Sequence, residues 1–166
     1  LWALARAASI GAAASPIGPG DARAGVTPAQ APTCSRTLLS AARGAAEGAD
    51  AIARTAADGF PRGTAVFLDL EPMTTIPPAM RDYYRAWVRA LLDDGRFRPA
   101  IYCHWRNAAE LHADVREIFA ERGAGEPEFW VARTAGFALE RAPADAGFGF
   151  ATVWQGALDV ARSWNG

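Results

Sequence analysis

The sequence predicts an α/β fold in which a parallel sheet is covered by helices. Short runs rich in β-branched and aromatic residues alternate with longer stretches whose apolar residues recur at spacings of three and four. Parallel neighbouring strands need a long crossover connection, and a helix of this length supplies it. The patterns leave open whether the sheet closes into a barrel or stays open.

The size and charge of the chain limit its class. With 166 residues, 51% of them hydrophobic and 21% charged, it is long enough to bury a single core. A formal net charge of -1 provides no basic surface for nucleic acid. Cys34 and Cys103 match no metal-ligand spacing, and the sequence predicts neither a metal nor a cofactor.

The first 34 residues form an uncertain N-terminal segment, and residues 35–166 form the predicted α/β domain. The segment begins with Leu1 and is rich in alanine, so it is either the end of a signal peptide or the front of the same domain. Arg6 interrupts its apolar run, which is shorter than the roughly 20 residues of a membrane span. No membrane span is therefore predicted. The signal-peptide alternative predicts a secreted or cell-envelope protein.

The elements of the domain follow from their flanking residues and their periodicity. One helix, or two, is predicted at 35–58, and further helices are predicted at 77–94 and 107–122; strands are predicted at 64–70, 98–105, 128–133 and 148–155. The helix at 77–94 has the clearest pattern, because Pro77 and Pro78 suit a first turn and Gly95 suits a helix end. Its apolar residues form one stripe, namely Tyr84, Trp87, Val88, Leu91 and Leu92.

Two acids stand at the end of the first predicted strand, in "GTAVFLDLEP". Side chains alternate along a strand, so Phe67, Asp69 and Glu71 share one face. If helices cover the other face, both acids lie on the inner face at the carboxyl edge of the sheet. That edge is where α/β proteins build their sites, in barrels and in open sheets alike.

The other strand ends carry side chains that suit a sugar. They present a phenol, an imidazole, two indoles, a guanidinium and an amide, from Tyr102, His104, Trp130, Arg133, Trp154 and Gln155. Flat aromatic faces with a few directed hydrogen-bonding groups fit a sugar ring, and paired carboxylates perform glycoside hydrolysis. The alternative is structural: Asp69 and Glu71 cap backbone amides or pair with Arg133, and His104 is a satisfied polar neighbour.

Four segments in this order resemble a known family. "FLDLEP", "YYRAWVRALLDDGRFRPAIYCHW", "FWVAR" and "TVWQ" are similar to the glycoside-hydrolase-like domain of unknown function related to the family-25 lysozymes, which are TIM-barrel muramidases. The resemblance covers residues 46–159 and implies a (β/α) TIM-barrel-like fold. A full barrel takes about 250 residues, and no acidic strand end precedes Thr64. The implied barrel is therefore truncated or incomplete at its N-terminus.

The resemblance also implies roles for individual residues. Glu71 matches the general acid and Asp69 the carboxylate that stabilises charge on the sugar. Tyr102, Trp130 and Gln155 match pocket-lining positions, and Asp159 matches an acid after the last strand. The strand-end pattern adds His104 and Arg133 to the residues expected to bind substrate. The expected partner is the glycan of peptidoglycan or a related glycan. Two alternatives remain: a glycan-binding domain of the bacterial cell wall without catalysis, and a structural α/β domain whose acids hold loops in place.

Overall fold

A computed structural model of the chain describes residues 2–5 and 39–157. The strands are β1 Trp2–Ala5, β2 Ala65–Leu70, β3 Arg98–His104, β4 Glu128–Ala132 and β5 Ala151–Gln155. The helices are α1 Ala41–Ala57, α2 Pro78–Asp94 and α3 Trp105–Glu121, with a 3-10 helix at Pro143–Ala146. Every predicted helix and strand of the α/β domain is present, and its ends lie within three residues of the predicted ones except at the start of α1, where the predicted residues 35–38 lie outside the described residues.

The five described strands form one parallel sheet in the sequential order β1-β2-β3-β4-β5. This confirms the predicted α/β class and the parallel sheet. One set of alternating side chains packs against the helices, and it includes Leu68, Ile101, Cys103 and Val131. A TIM barrel has the same strand order and the same one-sided helices. Closure of this sheet into a barrel stays a prediction.

The ends of the helices are set by local sequence. The Ser40 side chain accepts a hydrogen bond from the Arg43 amide at 3.2 Å and caps α1. Pro78 occupies the first turn of α2, where a missing N–H costs nothing. Gly95 ends α2 with a φ of 70°, a left-handed conformation that glycine adopts without strain.

Helices α1 and α2 approach closely because two glycines of α1 face α2. A Cβ at Gly44 would lie 2.0 Å from the carbonyl oxygen of Tyr83. A Cβ at Gly48 would lie 2.8 Å from the Cβ of Ala90. The backbones can therefore meet only where α1 has no side chain.

The opposite face of the sheet carries a second, smaller apolar cluster. Phe67 on β2 and Trp130 on β4 meet edge to face at 5.7 Å between ring centroids, above the small side chain of Ala100 on β3. Tyr102 meets Trp130 in the same way at 5.4 Å. We call Phe67, Tyr102 and Trp130 the aromatic floor. It lies on the face away from the helices, as the alternation along β2 predicts.

Two features were not predicted. The strand Trp2–Ala5 pairs with β2, with Ala5 opposite Leu68, although its sequence contains no β-branched residue. The 3-10 helix Pro143–Ala146 lies in a connection that carried no prediction. Within the described ranges, no helix combines the length and the apolar character that crossing a bilayer requires.

Candidate functional site

The acid pair stands where β2 leaves the sheet. Asp69 is the fifth residue of β2, and Glu71 is the first residue after the strand. Asp69 lies opposite Tyr102 of β3, and Tyr102 lies opposite Trp130 of β4. Asp69 is partly buried, whereas Glu71 is exposed. The structure thus brings one predicted catalytic residue and two predicted binding residues side by side at the carboxyl edge.

The phenol of Tyr102 links the residues of this edge. Burial raises the pKa of Tyr102, and the negative charges of Asp69 and then Glu71 raise it further. A hydrogen bond from the Gln155 side chain acts in the opposite direction on the same pKa. Tyr102 therefore lies within electrostatic reach of both carboxylates and in contact with the predicted amide.

Gln155 reaches this face because β5 is irregular. The register between β4 and β5 shifts between Phe129 and Trp130, so that Trp130 lies opposite Val153 and Ala132 lies opposite Gln155. An extra residue in one strand reverses the alternation of the side chains that follow it. The shift turns the Gln155 side chain toward Tyr102.

Trp130 contributes a polar atom as well as a ring. Its indole Nε1 is buried, and no atom of residues 39–157 accepts a hydrogen bond from it. An indole N–H can only donate, so an oxygen acceptor is its natural partner.

His104 lies at the end of β3 and caps α3. Its Nδ1 accepts a hydrogen bond from the Arg106 amide at 3.3 Å, which leaves Nε2 to carry the proton of the neutral ring. The His104 ring also lies 5.4 Å from the Trp105 ring. This geometry gives His104 the structural role that the sequence offered as an alternative. A role in binding substrate stays a prediction.

Arg133 follows β4 and is held by a turn. Its Nη1 donates to the carbonyl oxygen of Ala146 at 2.5 Å, and its Cζ lies 5.8 Å from the centroid of the Trp105 ring. The turn ends at Gly147, with a φ of 91°, where a Cβ would lie 2.3 Å from the same Nη1. Glycine at this position leaves the space that the guanidinium occupies.

Comparison with known proteins identifies the family. The model of the family described as "Rv2525c-like, glycoside hydrolase-like domain" matches residues 26–166. The chain belongs to this family. The resemblance to a glycoside-hydrolase-like domain is thereby confirmed, and the match contains every described element from α1 to β5. No curated protein and no solved structure matches the chain.

In this Rv2525c-like domain, Asn107 holds the segment that carries Glu71, and the sequence did not predict this role. Asn107, 4% exposed in the first turn of α3, accepts a hydrogen bond from the Met73 amide at 2.9 Å and donates one to the Met73 carbonyl at 3.0 Å. Met73 is the second residue after Glu71. Asn107 thus fixes the backbone that follows the exposed acid. Its partner is 34 residues away, so no local pattern could have found it.

The remaining predictions on the Rv2525c-like domain concern Asp159 and metals. Asp159 lies outside the described residues, and its role stays a prediction. The part of the chain that the structure describes gathers no group of three or more side chains that could hold a metal ion. The described site therefore consists of carboxylates, a phenol, an amide and the aromatic floor.

Proposed function

We propose that this domain hydrolyses the glycan of the bacterial cell wall, peptidoglycan or a related polymer. Glu71 is the general acid, and Asp69 is the carboxylate that stabilises the cationic sugar carbon. The supporting observation is the position of Tyr102. The charges of both carboxylates raise the pKa of its phenol, and its ring is part of the aromatic floor. Membership of a glycoside hydrolase-like family supports glycoside hydrolysis as the reaction of this arrangement.

The two acids differ in a way that fits these roles. Glu71 is the first residue beyond the strand, at the edge of the sheet where a glycosidic oxygen beside the aromatic floor would lie. Asp69 lies within the strand and is partly buried, so its position is fixed. In glycoside hydrolysis one acid protonates the leaving oxygen, and the second carboxylate stabilises or attacks the sugar carbon.

The other residues would bind the substrate. The aromatic floor offers apolar ring surface to the C–H faces of a sugar, and Tyr102 and Gln155 offer hydrogen-bonding groups to its hydroxyls. We assign His104 and Arg133 to binding of the same glycan, and Asp159, which lies outside the described residues, keeps its predicted role as an acid after the last strand. A barrel-like enclosure and a secreted or envelope location are parts of this proposal.

Release of reducing ends from purified peptidoglycan tests the proposal. We expect release by the parent protein and a loss of at least about a hundredfold in Glu71→Gln and in Asp69→Asn, since general acids contribute roughly 10²- to 10⁴-fold. Glu140→Gln is the matched control, because Glu140 is an exposed carboxylate in the connection between β4 and β5. A parent protein without release, or a Glu71→Gln variant with full release, contradicts the proposal.

The exposure of Glu71 favours a second candidate, a glycan-binding domain without turnover. General acids of glycosidases are commonly enclosed in apolar surroundings, and Glu71 is not. Retention of the parent protein on peptidoglycan without any release would support this candidate. If the parent is neither retained nor active, both candidates are wrong. Reduced stability of Glu71→Gln would then support the structural role of the acids.

A further inference from the structure

An exposed indole stands beside the acid-bearing edge. Trp105 is the first residue of α3, directly after the end of β3, and it remains 43% exposed. Trp87 and Trp154, by contrast, are 1% and 9% exposed. Keeping a large apolar ring in water costs free energy, so a ligand that covered the exposed part of the Trp105 ring would gain from the contact.

Arg133 lies beside this indole, and several of its N–H donors have no acceptor among the described residues. Among the described residues its guanidinium makes one hydrogen bond, to Ala146, and one cation–π contact over the Trp105 ring, and it forms no ion pair. Several other arginines form ion pairs with acids, for example Arg89 with Glu121. A guanidinium has five N–H donors, so most of those on Arg133 have no acceptor within residues 39–157.

Neighbouring backbone groups fix the position of the Arg133 guanidinium. The 3-10 helix supplies the carbonyl acceptor, and Gly147 leaves the space for Nη1. His104 and Ala132, which immediately precede Trp105 and Arg133, lie opposite each other in the sheet. Two strand ends therefore present a flat ring and a cation to the same place.

We propose that Trp105 and Arg133 form a subsite, beside the acid pair, for a sugar that carries a carboxylate. The C–H face of the sugar packs on the exposed part of the indole that the guanidinium does not cover, and the carboxylate accepts hydrogen bonds from the guanidinium, whose fork matches its two oxygens. One guanidinium balances the single charge of a carboxylate, whereas phosphate-recognition sites typically use clusters of arginines. The inference rests on the proposed function, since it assumes a glycan at this edge.

Binding of two matched disaccharides tests the subsite. One is N-acetylglucosaminyl-N-acetylmuramic acid with its lactyl carboxylate free, and the other is the same disaccharide with that carboxylate converted to its primary amide. Isothermal titration of the parent protein is expected to give a Kd about tenfold lower for the acid. The comparison uses the intact chain and requires no variant.

Three variants assign the effect to residues. Arg133→Gln is expected to weaken binding of the acid about tenfold and to leave binding of the amide unchanged. Trp105→Ala is expected to weaken both ligands by a similar factor, because stacking does not depend on charge. Arg141→Gln is the control: Arg141 is exposed in the same connection and also donates to a backbone carbonyl, that of Gly136 at 2.7 Å.

The outcomes separate this inference from the proposed function. Equal affinity of the parent for acid and amide, or no binding of either, overturns the subsite, whatever the protein does to peptidoglycan. Equal weakening of both ligands by Arg133→Gln also overturns it. Preference for the acid without release of reducing ends retains the subsite and rejects the hydrolase.

Discussion

Tyr102 is the residue whose ionisation depends most directly on the acid pair. Burial raises the pKa of its phenol, and Asp69 and Glu71 raise it further. The chain has two other tyrosines, Tyr83 and Tyr84, and burial together with a carboxylate partner raises their pKa values more strongly. Tyr102 is therefore expected to be the first tyrosine to ionise as the pH increases.

Removing either negative charge should make the Tyr102 phenol easier to ionise. We expect Asp69→Asn and Glu71→Gln each to lower the pKa of Tyr102, measured by NMR titration of ¹³C-labelled tyrosine. The control Glu140→Gln should leave that pKa unchanged. An unchanged Tyr102 titration in both acid variants would mean that the acids do not face the phenol, and the assigned site would be wrong.

Asn107 acts on the site only through the backbone of Met73. Asn107→Ala removes two hydrogen bonds from a buried segment, and we expect the free energy of unfolding to fall by about 1 to 3 kcal/mol. Because the segment carries Glu71, glycan turnover or retention per folded molecule should also fall, by about tenfold or more. Urea denaturation and the peptidoglycan assay measure the two effects.

Thr64 provides a control for Asn107. It is likewise 4% exposed, and its Oγ1 donates to the carbonyl of Pro61 at 2.8 Å, just before β2 and at the opposite end of that strand from the acids. Thr64→Val should lower stability and leave the function of the folded protein intact. Equal loss of function in both variants would show that Asn107 has no special relation to the site.

At the scale of elements, the contact between α1 and α2 leaves no room for a side chain at Gly44. Glycine to alanine normally stabilises a helix interior by about 1 kcal/mol. At Gly44 we expect the opposite, a loss of about 1 to 3 kcal/mol, because the added methyl would overlap the Tyr83 carbonyl. Thermal and urea unfolding of Gly44→Ala measure the change.

Gly125→Ala is the control for this prediction. Gly125 has open space around the position of its Cβ and lies between α3 and β4. Its substitution should leave stability within about 0.5 kcal/mol of the parent. Should Gly44→Ala prove as stable as this control, the described approach of α1 to α2 would be incorrect.

The same elements illustrate what sequence can and cannot predict. The helix Pro78–Asp94 was predictable because its proline, apolar stripe and Gly95 are local signals. The face of Asp69 and Tyr102 followed from simple alternation along a strand. The register shift beside Trp130 could not be predicted, since it depends on how two strands pair. The role of Gly44 could not be predicted for the same reason, because it depends on contact with Tyr83, which lies 39 positions further along the chain.

At the scale of the whole molecule, stability should depend on pH through His112 of α3. Its ring stacks on Phe150 at 3.8 Å between centroids and meets Phe129 edge to face. Burial lowers the pKa of His112 below 6.5; the carboxylate of Glu126 opposes this shift, and Arg116 adds to it. The unfolded chain thus binds this proton more readily than the folded protein does.

The free energy of unfolding should consequently fall as the pH drops below about 6.5, by at most about 1.4 kcal/mol per pH unit for one proton. The contribution is complete above that pH. Urea denaturation at several pH values measures it. His112→Gln should flatten the dependence, and His104→Gln, which keeps His112, should retain it. A parent protein with constant stability between pH 7 and 5 contradicts this assignment.

Cys103 is fully buried between the sheet and the helices, so the rate at which its thiol is labelled reports how often this part of the core opens. Burial raises the pKa of its thiol to about 12, and only the thiolate reacts with alkylating reagents. With Cys34 replaced by serine, labelling can therefore proceed only while the helical layer is lifted from the sheet. The labelling rate then gives the fraction of time that the layer is open, and bound glycan should lengthen the intervals between openings.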